Sequence, residues 1–271
     1  MGREEPNSLQ FAAHQSPATN HLNFTVVIPA RYASSRLPGK PLLEIQGKPL
    51  IRHVHEAAAG ADCRVIIATD DERIAACAAG FGAEVVRTAA THASGTDRIT
   101  EAAAISGIED ATIVVNVQGD EYGLPPALVT QVADGLRERP EAAMATLCES
   151  LRDTADYHDP NVVKVVRDAN HYALYFSRSP LPWSDQPLSA MPLAPLRHIG
   201  IYAYRAGFLK TYAALSRPPL EVSERLEQLR ALHHGYRIHV AEAAAPCGIG
   251  IDTPADLDRA RRVAAEGQRL R

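Results

Sequence analysis

The sequence predicts an α/β fold, in which a mostly parallel, Rossmann-like sheet is flanked by helices. Two observations carry this prediction. Up to about residue 140, short apolar runs with the composition of buried strands alternate with helical segments, which is typical of a parallel sheet with helices on its faces. Polar loops directly follow these runs, and ligands of open α/β sheets bind outside the carboxyl ends of the strands. We therefore expect the functional site in those loops.

The first predicted strand, Phe24–Ile28, is apolar, ends at Pro29 and leads into a loop with three cations. Arg31, Arg36 and Lys40 alternate there with small residues. This pattern favours the binding of an anion, with a polyphosphate as the first candidate. A solvated basic loop without a ligand is the alternative.

The remaining elements up to about residue 140 follow the same rhythm. Asp70 is the expected N-cap of the second helix, because Asp is a preferred N-cap residue, and Thr96 with Glu101 marks the start of the third. The predicted helices are 49–59, 71–79, one that begins near Thr96, and 125–137, and the predicted strands are 64–69, 83–87 and 112–117.

After about residue 140 the rhythm changes, and strands follow one another without long helices between them. We interpret residues 142–205 as a strand-rich insertion that shapes a second substrate pocket and a dimer contact. The predicted strands are 142–150, 162–167, 172–177 and 198–205, followed by helices 206–215 and 221–233, a strand 236–242 and a last helix capped by Thr253. Residues 24–271 are expected to form a single domain, and residues 1–23 a flexible N-terminal extension.

Composition excludes several classes of function. The net charge of −4 argues against a nucleic-acid binder held by bulk charge. No apolar run reaches the roughly 18 residues of a membrane-spanning helix, so membrane insertion is not expected. The first residues lack a basic start with an apolar core, so a secretory signal is not expected either. The four cysteines are far apart and form no CxxC pair, which favours free thiols and a cytoplasmic location.

The common phosphate-binding motifs are absent from this sequence. Gly39-Lys40 is followed by Pro41 instead of Ser or Thr, so the loop is not a Walker A motif, and no GxGxxG is present. Two aspartates offer a metal site instead. Asp120 closely follows the apolar strand 112–117, and Asp252 follows a second short apolar run. Both are candidates for Mg²⁺, which prefers oxygen ligands and usually bridges to substrate phosphates. A simple helix cap is the alternative for Asp252.

Seven blocks, in order along the chain, resemble the 3-deoxy-manno-octulosonate cytidylyltransferases (CMP-Kdo synthetases) of Gram-negative bacteria. They are IPARYASSRLPGKPL, HASGTDRI, VVNVQGDE, YFSRSPLPW, RHIGIYAYR, LEQLRAL and GIDTPADL. The resemblance covers Phe24 to the C-terminus. It favours this family over the CMP-sialate synthetases, whose opening loop typically reads RGGSKGIPGKN. Tyr122 departs from the family, which usually has Pro after QGDE.

The resemblance implies that CTP and 3-deoxy-manno-octulosonate (Kdo) react to give CMP-Kdo and pyrophosphate, for lipopolysaccharide synthesis, in a cytoplasmic homodimer. It implies catalytic roles for Arg31, Lys40, Asp120 and Asp252, with Mg²⁺ on the two aspartates. The implied CTP-binding residues are Ala30, Arg31, Tyr32, Ser34, Arg36, Lys40, Ser94, Gly95, Thr96 and Arg98. The implied Kdo-binding residues are Gln118, Arg178, His198, Tyr202, Glu227 and Gln228. Two alternatives stay open: a cytidylyltransferase for a modified 2-keto sugar acid such as an amino-Kdo, and a non-catalytic nucleotide-binding regulator.

Overall fold

A computed structural model describes residues 24–33, 37–92 and 94–269, without the side chains of 267–269. Ser34, Arg36 and the predicted extension 1–23 lie outside the described residues. The strands are β1 (Phe24–Ala30), β2 (Glu44–Ile45), β3 (Lys48–Pro49), β4 (Arg64–Thr69), β5 (Glu84–Arg87), β6 (Ile113–Asn116), β7 (Glu121–Tyr122), β8 (Met144–Ser150), β9 (Lys164–Arg167), β10 (Ala173–Ser177), β11 (Leu196–Arg205), β12 (Ile238–Glu242) and β13 (Ile249–Gly250).

The helices lie between these strands along the chain. They are α1 (Leu50–Ala59), α2 (Glu72–Gly80), α3 (Gly95–Ile105), α4 (Pro126–Arg137), α5 (Thr154–His158), α6 (Ala206–Ala214), α7 (Pro219–Glu224), α8 (Gln228–His233) and α9 (Pro254–Arg269). Lys40–Leu42 and Leu188–Ala190 form single 3₁₀ turns. Among the described residues, no helix is long and apolar enough to cross a membrane.

One large sheet organises the described residues, and its parallel half confirms the predicted fold class. Strands β6, β1, β4 and β5 run parallel and adjacent. β1 is fully buried, and it extends two residues beyond the predicted end, to Ala30. Pro29 is tolerated because its register partner is Ala68 of β4, whereas the pairing with β6 ends at Val27. The proline nitrogen therefore lies where no ladder bond to β6 is required.

The other half of the sheet is mainly antiparallel. β11 pairs antiparallel with β6, β8 and β9, while β12 runs parallel to β8, and β10 forms the edge beside β9. The predicted insertion thus contains two strands of the main sheet, β8 and β11, as well as the edge pair. A bulge interrupts the pairing of β11 with β8 between Ile199 and Tyr202. Thr146 Oγ1 lies 3.0 Å from Ile199 O and 2.7 Å from Ile201 O and stabilises the bulge.

Side-chain caps fix the starts of several helices. Asp71, not the predicted Asp70, is the N-cap of α2: its carboxylate accepts from the backbone N–H groups of Arg73 and Ile74. Both aspartates have the right chemistry, and Asp70 instead pairs with Arg98. Thr253 caps α9 as predicted, in a reciprocal box in which Thr253 Oγ1 accepts from Asp256 N and Asp256 Oδ2 accepts from Thr253 N.

The helix predicted over 221–233 is wrong, because α7 and α8 are separate. Arg225 has a left-handed backbone conformation, with φ 54° and ψ 45°, and this ends α7. Neither Gly nor Pro marks the break. A buried ion pair holds the two pieces together: Arg230 donates to Glu221 at 2.7 and 2.8 Å, and both side chains are buried. The break places Glu227 and Gln228 at the start of α8, facing a cavity.

Candidate active site

The carboxyl ends of β1 and β6 meet at the loop that the sequence singled out. Gly119 lies so close to β1 that a Cβ there would be 2.8 Å from Pro29 O, so only glycine fits without a shift. Gly39, with φ 69°, donates its N–H to Tyr32 O at 3.0 Å and closes the loop after β1. Lys40 follows at the first position of a 3₁₀ turn.

Lys40 brings together the two predicted metal-binding aspartates. Its Nζ lies 2.6 Å from Asp120 Oδ2 and 3.1 Å from Asp252 Oδ1. The position of Asp252 follows from the backbone: β13 pairs with β7, and Ile251 N donates to Asp120 O at 3.0 Å. Residues 132 positions apart in the sequence therefore present two carboxylates to one point. Lys40 is only 12% exposed, so this ion pair is partly shielded from water.

The donor set fits a magnesium ion that is shared with a substrate. Both carboxylates lie within 3.1 Å of one nitrogen atom, so they converge closely enough to share a cation. The described residues contain no cluster of three or more His, Cys, Asp or Glu side chains that could hold a metal. Mg²⁺ commonly uses one or two protein carboxylates and takes its other oxygens from water and substrate phosphates, which matches this pair.

A groove of about 350 Å³ opens beside Lys40 at the end of β1. It contains five of the predicted nucleotide and catalytic residues, and Gln118 also lines it. The lining residues are Pro29, Ala30, Arg31, Ala33, Lys40, Pro41, Gly95, Gln118, Gly119 and Asp120. Two cations, small side chains and close backbone suit this groove to a phosphorylated ligand.

Three other residues predicted to contact the nucleotide have protein partners. Arg98 is 1% exposed and pairs with Asp70 at 2.9 Å; burial lowers the pKa of its guanidinium. The Tyr32 ring lies beneath the Arg73 guanidinium, 3.2 Å from its carbon to the ring centroid. Ser94 caps α3 by accepting from Asp97 N at 3.1 Å. In the structure these three residues therefore interact with other parts of the protein. Their role in binding the nucleotide stays a prediction.

A second cavity, of about 360 Å³, adjoins the groove and ends at the same two aspartates. Five of the six residues predicted to bind the sugar line it, although they come from three separate parts of the chain: Gln118, His198, Tyr202, Glu227 and Gln228. Gly95, Gln118 and Asp120 belong to both cavities. We name this second space the inner cavity.

His198 is a neutral imidazole in the inner cavity. Burial among protein atoms lowers its pKa to about 3, with Arg197 adding repulsion. Its Nε2 lies 2.9 Å from Thr146 Oγ1, and its ring packs edge-on against Phe176 with centroids 5.0 Å apart. Burial also raises the pKa of the neighbouring Tyr202 hydroxyl, so that it stays protonated. Both groups therefore offer hydrogen bonds without charge.

Hydrogen bonds to both its side chain and its backbone fix Glu227 in the inner cavity. Its Oε2 accepts from Thr96 Oγ1 at 2.7 Å, and its carbonyl accepts from the Tyr212 hydroxyl at 2.8 Å. Thr96, predicted to contact the nucleotide, thus faces the inner cavity instead of the groove. Fixing a carboxylate in this way suits the recognition of hydroxyl groups.

Arg178 is the sixth predicted sugar residue, and it lies outside the inner cavity. Its guanidinium donates to Glu224 O at 2.7 Å and to Pro160 O at 2.8 Å. It lines an adjoining space that also contains Arg225 and Asp252. Arg225, which sequence reasoning missed, lines both spaces. The role of Arg178 in sugar binding stays a prediction.

Comparisons with known proteins agree with this arrangement. Residues 25–238 match the sequence model of the cytidylyltransferase family. The 3-deoxy-manno-octulosonate cytidylyltransferase of Thioalkalivibrio sulfidiphilus is 54% identical over 89% of this chain and 99% of its own length. That of Idiomarina loihiensis is 51% identical over 91% of this chain and all of its own. The chain belongs to the 3-deoxy-manno-octulosonate cytidylyltransferase family.

Solved structures extend the comparison. A CMP:2-keto-3-deoxy-manno-octonic acid synthetase complexed with CTP is 43% identical, with a TM-score of 0.82 over 90% of this chain and 99% of the other. A glucose-1-phosphate thymidylyltransferase described as putative, from Bacillus anthracis, is 17% identical with a TM-score of 0.62 over 89% of this chain and 95% of the other, and shows the likeness of fold alone.

Two further residues of this family member line the inner cavity and were missed by sequence reasoning. Asn116 ends β6, and Tyr204 lies on β11. Both side chains are buried, and Asn116 is a polar residue inside an otherwise apolar strand. The signal was present, since Asn116 is the lone polar side chain in the run IVVNV and Tyr204 shares a strand face with Tyr202.

Proposed function

We propose that this protein transfers a cytidylyl group from CTP to Kdo, giving CMP-Kdo and pyrophosphate, and thereby activates the sugar for lipopolysaccharide synthesis. Family membership at 54% identity supports the proposal. So does the 43% identical synthetase complexed with CTP, which has the same fold over 90% of this chain.

The observation that carries the proposal is the junction of the groove and the inner cavity at Asp120. A cytidylyl transfer needs the α-phosphate of the nucleotide and a hydroxyl of the sugar to meet, and much of the rate gain in such reactions comes from positioning. Here a groove that contains two cations and a pocket lined by hydrogen-bonding side chains share Gly95, Gln118 and Asp120. We place CTP in the groove and Kdo in the inner cavity.

In the reaction the anomeric 2-hydroxyl oxygen of Kdo attacks the α-phosphorus. An O–P bond forms there, the bond from the α-phosphorus to the bridging oxygen breaks, and the hydroxyl proton is released. Negative charge moves onto the departing pyrophosphate. Arg31 and Lys40 lie in the groove and stabilise that charge electrostatically. The cytosine base faces the loop of small residues before α3, where backbone groups can approach it closely.

Asp120 and Asp252 are the residues that would hold Mg²⁺. A bound Mg²⁺ neutralises phosphate charge and lowers the pKa of a coordinated hydroxyl. The chain's own residues supply the rest: Lys40 balances the two carboxylates, and neutral His198 and Tyr202 orient hydroxyl groups without adding charge.

The insertion supports a homodimer as part of the proposal. Three large apolar side chains of the insertion are strongly exposed: Trp183 (81%), Leu174 (63%) and Leu193 (58%). Leu174 lies on the edge strand β10. Large exposed apolar side chains are often part of an interaction surface. Light scattering after gel filtration should give twice the chain mass of 29.3 kDa. A monomer at working concentrations would contradict the proposed homodimer.

A cytoplasmic location accords with four cysteines that are free thiols.

The function is tested by pyrophosphate release from purified protein with CTP, Mg²⁺ and Kdo. We expect steady turnover that chelation abolishes and added Mg²⁺ restores. A panel of ATP, GTP and UTP tests the base, and a panel of Kdo, amino-Kdo and N-acetylneuraminate tests the sugar. Absence of release with every sugar would contradict an enzymatic role and favour the regulator, provided that CTP still binds by calorimetry. Preference for amino-Kdo would keep the chemistry and change the substrate.

A further inference from the structure

Two amide atoms buried at the inner cavity have no bonding partner among the residues that the structure describes. They are Asn116 Oδ1 and Gln228 Nε2. The side chains are 2% and 4% exposed, and both line the cavity. Buried polar atoms are nearly always paired. An acceptor and a donor that both lack a protein partner, on opposite elements β6 and α8, point to a polar ligand between them.

The orientation of the Asn116 amide follows from its neighbour Tyr204. Burial raises the pKa of the Tyr204 hydroxyl, and a hydrogen bond with the Asn116 side chain opposes that rise. A hydrogen bond with this effect is donated to the Tyr204 oxygen, so it comes from the Asn116 NH₂ group.

This bond leaves the carbonyl oxygen of Asn116, which has no partner in the described part of the protein, for the ligand. Asn116 and Asp120 both line the inner cavity. The cross-strand partner of Asn116 in the β6–β11 register is Tyr202, another residue that lines the cavity.

We propose that Asn116 is a specificity residue, whose Oδ1 accepts a hydrogen bond from a hydroxyl group of the sugar while Gln228 Nε2 donates to a sugar oxygen. Tyr204 is a positioning residue that aims the Asn116 amide. The inference rests on the proposed function, and it adds a residue and the chemistry it recognises. A sugar acid that lacks this hydroxyl would leave the buried oxygen unpaired, which is the strongest form of discrimination a polar site has.

The test compares Kdo with its monodeoxy analogues in steady-state pyrophosphate release. The wild-type enzyme should use one analogue roughly ten- to hundredfold less efficiently than Kdo. Asn116→Leu, of similar volume, should lower kcat/KM for Kdo by a similar factor and use that analogue as well as Kdo. Its KM for CTP should stay within about threefold of wild type, because Asn116 does not line the groove.

Two companion variants keep the test decisive. Tyr204→Phe should raise the KM for Kdo while leaving that for CTP unchanged, and it carries the test by itself if Asn116→Leu does not fold. Thr25→Val is the matched control: Thr25 is a buried polar residue of the same sheet, paired with Val114, and should leave discrimination intact. If both cavity variants discriminate among the analogues as wild type does, the inference is overturned. Lack of turnover by the wild-type enzyme itself would overturn the proposed function instead.

Discussion

His198 offers the sharpest test of the electrostatics of the inner cavity. Burial lowers its pKa from 6.5 to about 3 in the folded protein. Below pH 6.5, the unfolded chain therefore binds a proton at this histidine more readily than the folded protein does. The resulting stability is fully present above pH 6.5 and is lost progressively as the pH falls from 6.5 towards the folded pKa of about 3.

The size of this effect follows from the difference in pKa. Each pH unit below 6.5 removes about 1.4 kcal/mol of unfolding free energy, so the loss from about pH 7.5 to about pH 5 approaches about 2 kcal/mol. The ring borders a cavity and is partly exposed to it. Water there screens the charged form, so we expect about 1–2 kcal/mol. His198→Gln, which keeps a hydrogen-bonding side chain beside Thr146, should lose that much less stability than wild type over this range.

Urea denaturation at the two pH values measures the difference, and His239→Gln is the matched control. Burial lowers the pKa of His239 to about 4, but it lies on β12 away from the cavity. Both variants should flatten the acid side of the stability curve, whereas His198→Gln alone should raise the KM for the sugar. An unchanged pH dependence of stability in His198→Gln would refute the buried neutral imidazole.

Three further predictions concern charged groups. Asp120→Ala and Asp252→Ala should each reduce kcat by at least about 100-fold, measured by pyrophosphate release at saturating Mg²⁺; a near-normal rate would remove that residue from the metal site. Lys40→Met should lower kcat roughly 100- to 1000-fold, and a pure KM effect would instead indicate uniform substrate binding. Glu221→Gln should cost about 3–5 kcal/mol of unfolding free energy, because it leaves buried Arg230 without its partner; a calorimetric Tm within a degree or two of wild type would contradict this.

The sequence was a good guide to elements whose signal is local. The strand Arg64–Thr69 begins and ends as predicted, since an apolar run bounded by polar residues is a local feature. The break between α7 and α8 was not predictable in that way. Arg225 is an ordinary helix former, and its left-handed backbone is maintained by tertiary contacts, with Arg178 donating to the Glu224 carbonyl just before it.

The same distinction between local sequence signals and tertiary contacts applies to the residues of the candidate site. Asp120 and Asp252 were predicted from residue type and from their positions after apolar runs, and the structure places both beside Lys40. Their role as metal ligands stays a prediction. The environment of Arg98 could not be predicted from the sequence in this way. A cation near a loop of small residues suggests an anionic ligand, but Arg98 turns inward to Asp70, a partner 28 positions earlier in the chain. Whether a charged side chain faces a ligand or a buried partner depends on packing between distant segments, which composition and spacing do not encode.

The contacts of Lys40 with the two aspartates indicate a second role for this residue, besides the predicted binding of a polyphosphate. Asp120 and Asp252 together carry two negative charges at one point, and repulsion between like charges at this distance is substantial in a partly buried site. Lys40 offsets that repulsion before any nucleotide binds. Its side chain lines the groove as well, so the same ammonium group is available to the phosphate oxygens of the proposed nucleotide. Under the proposed function, a single residue of the loop after β1 would therefore stabilise both the free site and the nucleoside triphosphate, without a Walker motif.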